Sequence, residues 1–236
     1  EMNLSYKEIR TYSPMGRWNS RSVADWLCMP LSPFFSTKFV KWQLRPNTIT
    51  LFMIFFGIVG SLFFALPKWE FKVLGIICYY LWYIMDCSDG EVARITKQFS
   101  TYGRDMDYWA HLTCHPLMNL ALWYSYWQLD RYHEWLLAFI FIVFISMEFQ
   151  HRALFTFQAY HRKETGTESV DNPSVLRYIF RQMYQYPNFI LLFPFVFLLE
   201  YLTEFPTFYL LAGWCLFFVV GVGQALLRMI AFCYKG

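Results

Sequence analysis

Apolar residues along the chain gather into six long blocks parted by short polar stretches, over about 48–66, 71–85, 103–126, 135–160, 187–202 and 206–232. A helix that crosses a bilayer needs roughly 20 mostly apolar residues, and these blocks have that length. The first block is entered through Arg45-Pro46-Asn47-Thr48, where proline's fixed φ suits the first turn of a helix. The polar connections at 67–70, 127–134 and 203–205 are short, as expected between antiparallel neighbours. Blocks two to four carry charge at one end, so a hydropathy window alone shortens them. The pattern predicts an all-α, polytopic membrane protein with six transmembrane helices. It divides into an interfacial N-terminal segment, 1–45, and a transmembrane domain, 46–236.

Residues 24–44 interleave Trp26, Leu27, Leu31, Phe34, Phe35, Phe39, Val40, Trp42 and Leu44 with Asp25, Lys38 and Lys41. This predicts an amphipathic helix lying in the membrane interface, broken into two pieces by Pro30 and Pro33. The connection 161–186, with Gly166 and Pro173, is the longest. Its Arg177 and Arg181, four apart, predict a further interfacial helix. No internal repeat or low-complexity tract is visible.

Composition sharpens this picture. The chain is 57% hydrophobic and 22% aromatic but only 16% charged, with a mean hydropathy of +0.28, whereas a soluble domain carries about 25% charged residues. The lipid bilayer is therefore the expected partner, and nucleic acid is not. The 26 Phe, 17 Tyr and 10 Trp read as lipid-facing and interfacial packing. Of the 20 Lys and Arg, all but Lys68, Lys72 and Arg131 fall on one side if the blocks alternate direction. The positive-inside rule then puts both termini in the cytoplasm. Residues 1–20 do not read as a secretory leader, so the first span is expected to act as the insertion signal. The six cysteines, Cys28, Cys78, Cys87, Cys114, Cys215 and Cys233, show no CxxC spacing and read as buried, reduced thiols.

The chemistry concentrates in 83–115, YIMDCSDGEVARITKQFSTYGRDMDYWAHLTCH. Carboxylates at a membrane edge are costly unless paired, hydrated or bound to a cation. Asp86 and Asp89 are three apart, and Asp107 and His111 four apart, so each pair shares a helix face. If the two helices pack antiparallel, the faces meet in an oxygen-rich cluster suited to Mg²⁺ or Mn²⁺. Gly90 and Gly103 suit close approach of backbone to a nucleotide or a neighbouring helix, and Arg94 offers a planar fork to a phosphate. His115, one turn beyond His111, either extends the site or packs the helix before Pro116; packing is the commoner case. Arg152 and Arg228, near His151 and Gln224, either form a basic pocket for an anionic acceptor or snorkel to headgroups.

In this stretch the chain resembles the CDP-alcohol phosphotransferase (CDP-alcohol phosphatidyltransferase) family, whose signature is D-x2-D-G-x2-A-R-x8-G-x3-D-x3-D. Asp86, Asp89, Gly90, Ala93, Arg94, Gly103 and Asp107 fall on it in register, and Pro46-Asn47 resembles the family's entry to its first helix. The family's six-helix core also fits the six blocks. The resemblance implies that Asp86, Asp89 and Asp107 hold the metal. It also implies that Asn47, Asp89, Gly90, Ala93, Arg94, Gly103 and Asp107 line the nucleotide site. The last position departs: His111 stands where the family has an aspartate, at once metal neighbour and general base. A neutral imidazole can accept a proton from an alcohol, so the leading expectation is a catalytic His111 that is also a candidate ligand. An altered metal count with another base, an engineered change and a catalytically weak homologue stay open.

The expected reaction transfers a substituted phosphate group from a CDP-linked donor, foremost CDP-diacylglycerol, to an alcohol acceptor with release of CMP. The alternatives are transfer from CDP-choline or CDP-ethanolamine to diacylglycerol, and a scaffold protein derived from the family. A transporter would favour broken helices at mid-membrane and internal repeats. The family also implies a possible homodimer.

Overall fold

The structure is a computed structural model and describes residues 5–12, 22–165 and 175–234. Among these, every regular element is a helix: α1 (Tyr6–Tyr12), α2 (Val23–Cys28), α3 (Ser32–Lys41), α4 (Pro46–Ala65), α5 (Trp69–Thr96), α6 (Gly103–Gln128), α7 (Glu134–Thr165), α8 (Val175–Met183), α9 (Tyr186–Thr203) and α10 (Phe208–Cys233). The expected loop residues Gly166 and Pro173 lie outside the described residues, as do the side chains of Arg177 and Cys233.

All six apolar blocks are helices. Five of them, α4, α5, α7, α9 and α10, are long and apolar enough to cross a membrane. The third, α6, is long enough at 26 residues but carries Arg104, Asp105, Asp107, His111 and His115, which leave it less apolar than the others. Large apolar side chains such as Leu51, Phe55, Leu62, Phe139, Ile142, Leu216 and Leu227 point outward. On a soluble protein this much exposed apolar surface would drive association; around a bundle of long helices it is a lipid-facing wall.

The centre of the bundle is α4, which packs most extensively on α5 and next on α6. Without a hydrophobic driving force between helices in lipid, close approach over small residues supplies the attraction. Gly75 of α5 is such a contact: a Cβ there would stand 2.8 Å from the Phe64 backbone nitrogen and 2.9 Å from the Gly60 carbonyl oxygen. Pro46 opens α4 at its first turn, with Arg45 extended before it. The helix α5 runs eleven residues past Met85, where its apolar window ends. The extension holds because Ser88, Glu91, Val92 and Ile95 are buried along it. Glu91 accepts hydrogen bonds from Ser32 at 2.7 Å and Ser36 at 2.6 Å, which bind α3 to α5.

The expected interfacial helix is indeed two, α2 and α3, broken at Met29–Leu31, with Pro33 in the first turn of the second piece. Ser22 and Asp25 cap α2 reciprocally, and the amides of Val23 and Ala24 donate to Gln182 and Asn188. The Tyr83 hydroxyl reaches Asp25 at 2.7 Å. These bonds tie α2 to α5 and to the start of α9. Lys72, in the first turn of α5, is 1% exposed. Its Nζ donates to the Phe64 carbonyl at 3.0 Å and to Ser125 Oγ at 2.9 Å, so it is held inside the bundle.

Replacing Gly75 with Ala places a methyl against backbone atoms that cannot rotate away. Thermal unfolding in detergent should show a loss of about 1–3 kcal/mol, the usual cost of overpacking, whereas Gly213→Ala, which meets nothing within 4 Å, should change stability far less.

Candidate active site

The two helices that carry the chemistry do not chiefly pack on each other; α4 lies against both and sets their spacing. Between them, Lys97 ends α5 in the left-handed conformation at φ 54°, and the chain turns back to start α6 at Gly103. Asn47, in the first turn of α4, stands beside this turn. Its Nδ2 is 3.5 Å from Ser100 Oγ, and a Cβ on Gly103 would lie 3.7 Å from its Oδ1.

Across this arrangement Asp86, Asp107 and His111 converge. His111 Nε2 is 3.3 Å from Asp86 Oδ1 and 3.4 Å from Asp107 Oδ1, and the three ligand atoms all lie within 4.8 Å of one another. Ligands on adjacent corners around a small divalent cation, at about 2.0–2.1 Å from it, stand roughly 3 Å apart. Asp107 Oδ1 is buried without a hydrogen-bond partner, an atom left over for a cation. The donor set and its spacing thus fit a hard divalent ion such as Mg²⁺ or Mn²⁺. Asp89 is not in this group. Its Oδ2 accepts a hydrogen bond from Thr50 Oγ1 of α4 at 2.7 Å, because three residues on, the helix has turned it toward α4.

Beyond the cluster, Gly90 and Arg94 form one open face of α5. The three nearest atoms to a Cβ on Gly90 would all belong to the Arg94 guanidinium, Nη1 the closest at 3.1 Å. Arg94 Nε donates to the Tyr12 carbonyl at 2.6 Å, which ties α1 to this end of the bundle. Ala93 is partly exposed on the same stretch. The Cys28 thiol of α2 is pushed up to about 12, first by burial and then by the charges of Asp25 and Asp86. It stays protonated and adds neither a nucleophile nor a soft ligand.

A family model described as CDP-alcohol phosphatidyltransferase matches residues 43–219, three quarters of the chain and every residue of the cluster. The chain belongs to the CDP-alcohol phosphatidyltransferase family. No curated protein matches it individually. Membership implies transfer of a phosphatidyl group between a CDP-alcohol and an acceptor, and the family uses a divalent metal. For a CDP-alcohol phosphatidyltransferase, Asp86, Asp107 and His111 are a group able to hold such an ion.

Four residues outside the signature also reach the site. His115 is fully buried, and its Nε2 lies 3.1 Å from His111 Nδ1. It packs the helix, as expected, but it also touches the cluster. Glu148 and Arg152 of α7 flank it, and the Tyr186 ring of α9 stacks on it at 3.8 Å. The signal for the first two was a charged pair four apart within an apolar block; Tyr186 gave none. Arg228 does not join Arg152. It lines a separate cleft with Phe180, Tyr184, Phe217 and Gln224 between α8 and α10.

Mn²⁺ binding to the solubilised protein, read by electron paramagnetic resonance, tests the ligand set. Asp86→Ala and Asp107→Ala should each weaken binding by more than the roughly 100-fold typical of lost supporting partners. Asp89→Asn should cost less than either.

Proposed function

We propose that this chain is an integral membrane enzyme that transfers a phosphatidyl group from CDP-diacylglycerol to a small polar alcohol, releasing CMP. The observation that carries the reading is the convergence of Asp86, Asp107 and His111 at one end of an apolar bundle, on the family's own spacing. A diphosphate substrate needs positive charge at its bridging phosphates, and this cluster is built to hold a cation.

Six spans, with α6 as the polar-ended one, account for this site. A 26-residue helix reaches about 39 Å at 1.5 Å per residue, enough to cross the hydrocarbon and carry its first turns beyond it. The distribution of Lys and Arg supports a cytoplasmic site and cytoplasmic termini. Donor lipid then enters from the leaflet, while the alcohol arrives from water.

Asp86 and Asp107 hold the ion and Asp89 stands beside them, fixed by Thr50. A divalent cation bound there neutralises the diphosphate and makes CMP a better leaving group. Gly90, with no side chain, lets the nucleotide approach α5, and Arg94 offers its guanidinium to a phosphate oxygen. Ala93, Asn47 and Gly103 line the neighbouring surface. The acceptor hydroxyl attacks phosphorus, its proton passes to His111, and the bond to CMP breaks. Arg152, above the cluster on α7, gives an anionic acceptor a counter-charge. The distances of His111 Nε2 to two carboxylates favour a second reading, in which it is the third ligand and another group takes the proton.

A CMP-release assay with CDP-diacylglycerol, a panel of alcohols, and Mg²⁺ or Mn²⁺ tests the proposal. CDP-choline or CDP-ethanolamine with diacylglycerol tests the other donor branch. Metal-dependent CMP release is expected with the first donor, and none with either would leave a binding or scaffold protein. His111→Ala should lower turnover about 10²–10⁴-fold if it is the base, with partial recovery in His111→Asp. Undiminished turnover in the alanine variant removes the base role.

A further inference from the structure

Arg94 stands in the last turn of α5, and its side chain does not hang free. Nε donates to the Tyr12 carbonyl at 2.6 Å. Nη1 and Nη2 lie back over Gly90, 3.1 and 3.5 Å from where a Cβ on that residue would stand. Among the described residues these two Nη groups meet no acceptor. A guanidinium carries five N–H donors in a rigid fork, so the bond at Nε fixes its direction and leaves the outer edge open. Tyr12 is the last residue of α1. The final carbonyls of a helix have no partner within it, and basic side chains commonly supply one.

α1 reaches this position through few contacts. Ser5 and Glu8 close its first turn reciprocally: Glu8 Oε2 accepts from the Ser5 amide at 2.7 Å, and Ser5 Oγ accepts from the Glu8 amide at 3.4 Å. This is a capping box, which helps so short a helix to form. Ile9 is its one buried residue, at 0% exposure, and α1 packs on α3 and α5. The Tyr6 hydroxyl adds a bond to the Pro30 carbonyl at 2.9 Å. The segment is thus docked through one apolar side chain, with its C-terminal end on Arg94.

We propose that α1 is a positioning strap for the nucleotide site: Ile9 docks it, and its last carbonyl, at Tyr12, holds Arg94 with the Nη edge presented above Gly90 to a phosphate of the CDP moiety. The inference rests on the reading above for the phosphate that Arg94 meets. An unheld arginine loses rotamer freedom when it binds an anion, which weakens binding about 2–10-fold for one such side chain. Tyr12 has already ordered this one. Because the tie is at Nε, both Nη groups stay available for two parallel bonds to phosphate oxygens.

Binding of CDP to the solubilised protein in Mg²⁺, followed by isothermal titration, tests this. Ile9→Asp sets a charge in the docking socket and should release α1, raising the CDP dissociation constant about 2–10-fold. Ile9→Val should bind as wild type does, and Ile9→Ala, which loosens the dock without a buried charge, should fall between. Arg94→Ala should weaken binding at least as much as Ile9→Asp. Adding Ile9→Asp to it should change nothing further, because both act through one group. Wild-type affinity in Ile9→Asp, with binding still weakened in Arg94→Ala, sinks the strap alone. An equal loss from Ile9→Asp in both backgrounds marks a general support of the fold and overturns the positioning role. Wild-type affinity in Arg94→Ala removes the phosphate contact and the strap with it.

Discussion

Two carboxylates held within 4.8 Å of each other at the end of an apolar bundle repel each other, even where both side chains are partly exposed. They stay together only if positive charge stands between them. Asp86 and Asp107 come from different helices, yet both oxygens face the same His111 nitrogen. Much of this end of the molecule bears on keeping that geometry. α4 spaces α5 from α6 over glycine contacts and steers Asp89 through Thr50. α3 pins the extension of α5 through Ser32, Ser36 and Glu91. The cation the cluster needs is also the one a CDP-linked substrate needs, so a cost to the fold and a requirement of the chemistry meet at one point.

Much of this was legible in the chain. Six apolar blocks gave six helices with boundaries shifted by a few residues, save α5, which runs eleven residues past its block, and the break near Pro30 gave two interfacial helices. Asp86, Asp89, Asp107 and His111 were expected together, because Asp86–Asp89 and Asp107–His111 each have the spacing of a helix face and the two faces were expected to meet; three of the four do, and Asp89 lies outside the group. What could not be read were the contacts between distant segments. Nothing local to Asp89 announces that Thr50, 39 residues earlier, takes its carboxylate. Likewise the partner of His115 is 33 residues away on α7. The continuation of α5 past Met85 was expected, but not that burial against α3, through Ser32 and Ser36 on Glu91, sustains it. The burial of Lys72 was likewise illegible, because only the fold shows the carbonyl of Phe64 and the hydroxyl of Ser125 that hold its ammonium.

The histidine at the last signature position changes the chemistry more than its location does. An aspartate there would add negative charge to a site already rich in it. An imidazole offers one nitrogen and no charge, and its usefulness depends on which nitrogen carries the hydrogen. Here it stands between His115 on one side and the two carboxylates on the other.

The central claim is that Asp86, Asp107 and His111 share one divalent cation. Crystals grown with Mn²⁺ and measured at the manganese absorption edge test it most directly. The account predicts an anomalous difference peak within coordinating distance of all three side chains. Strong manganese peaks elsewhere in the protein and none at this cluster would contradict it.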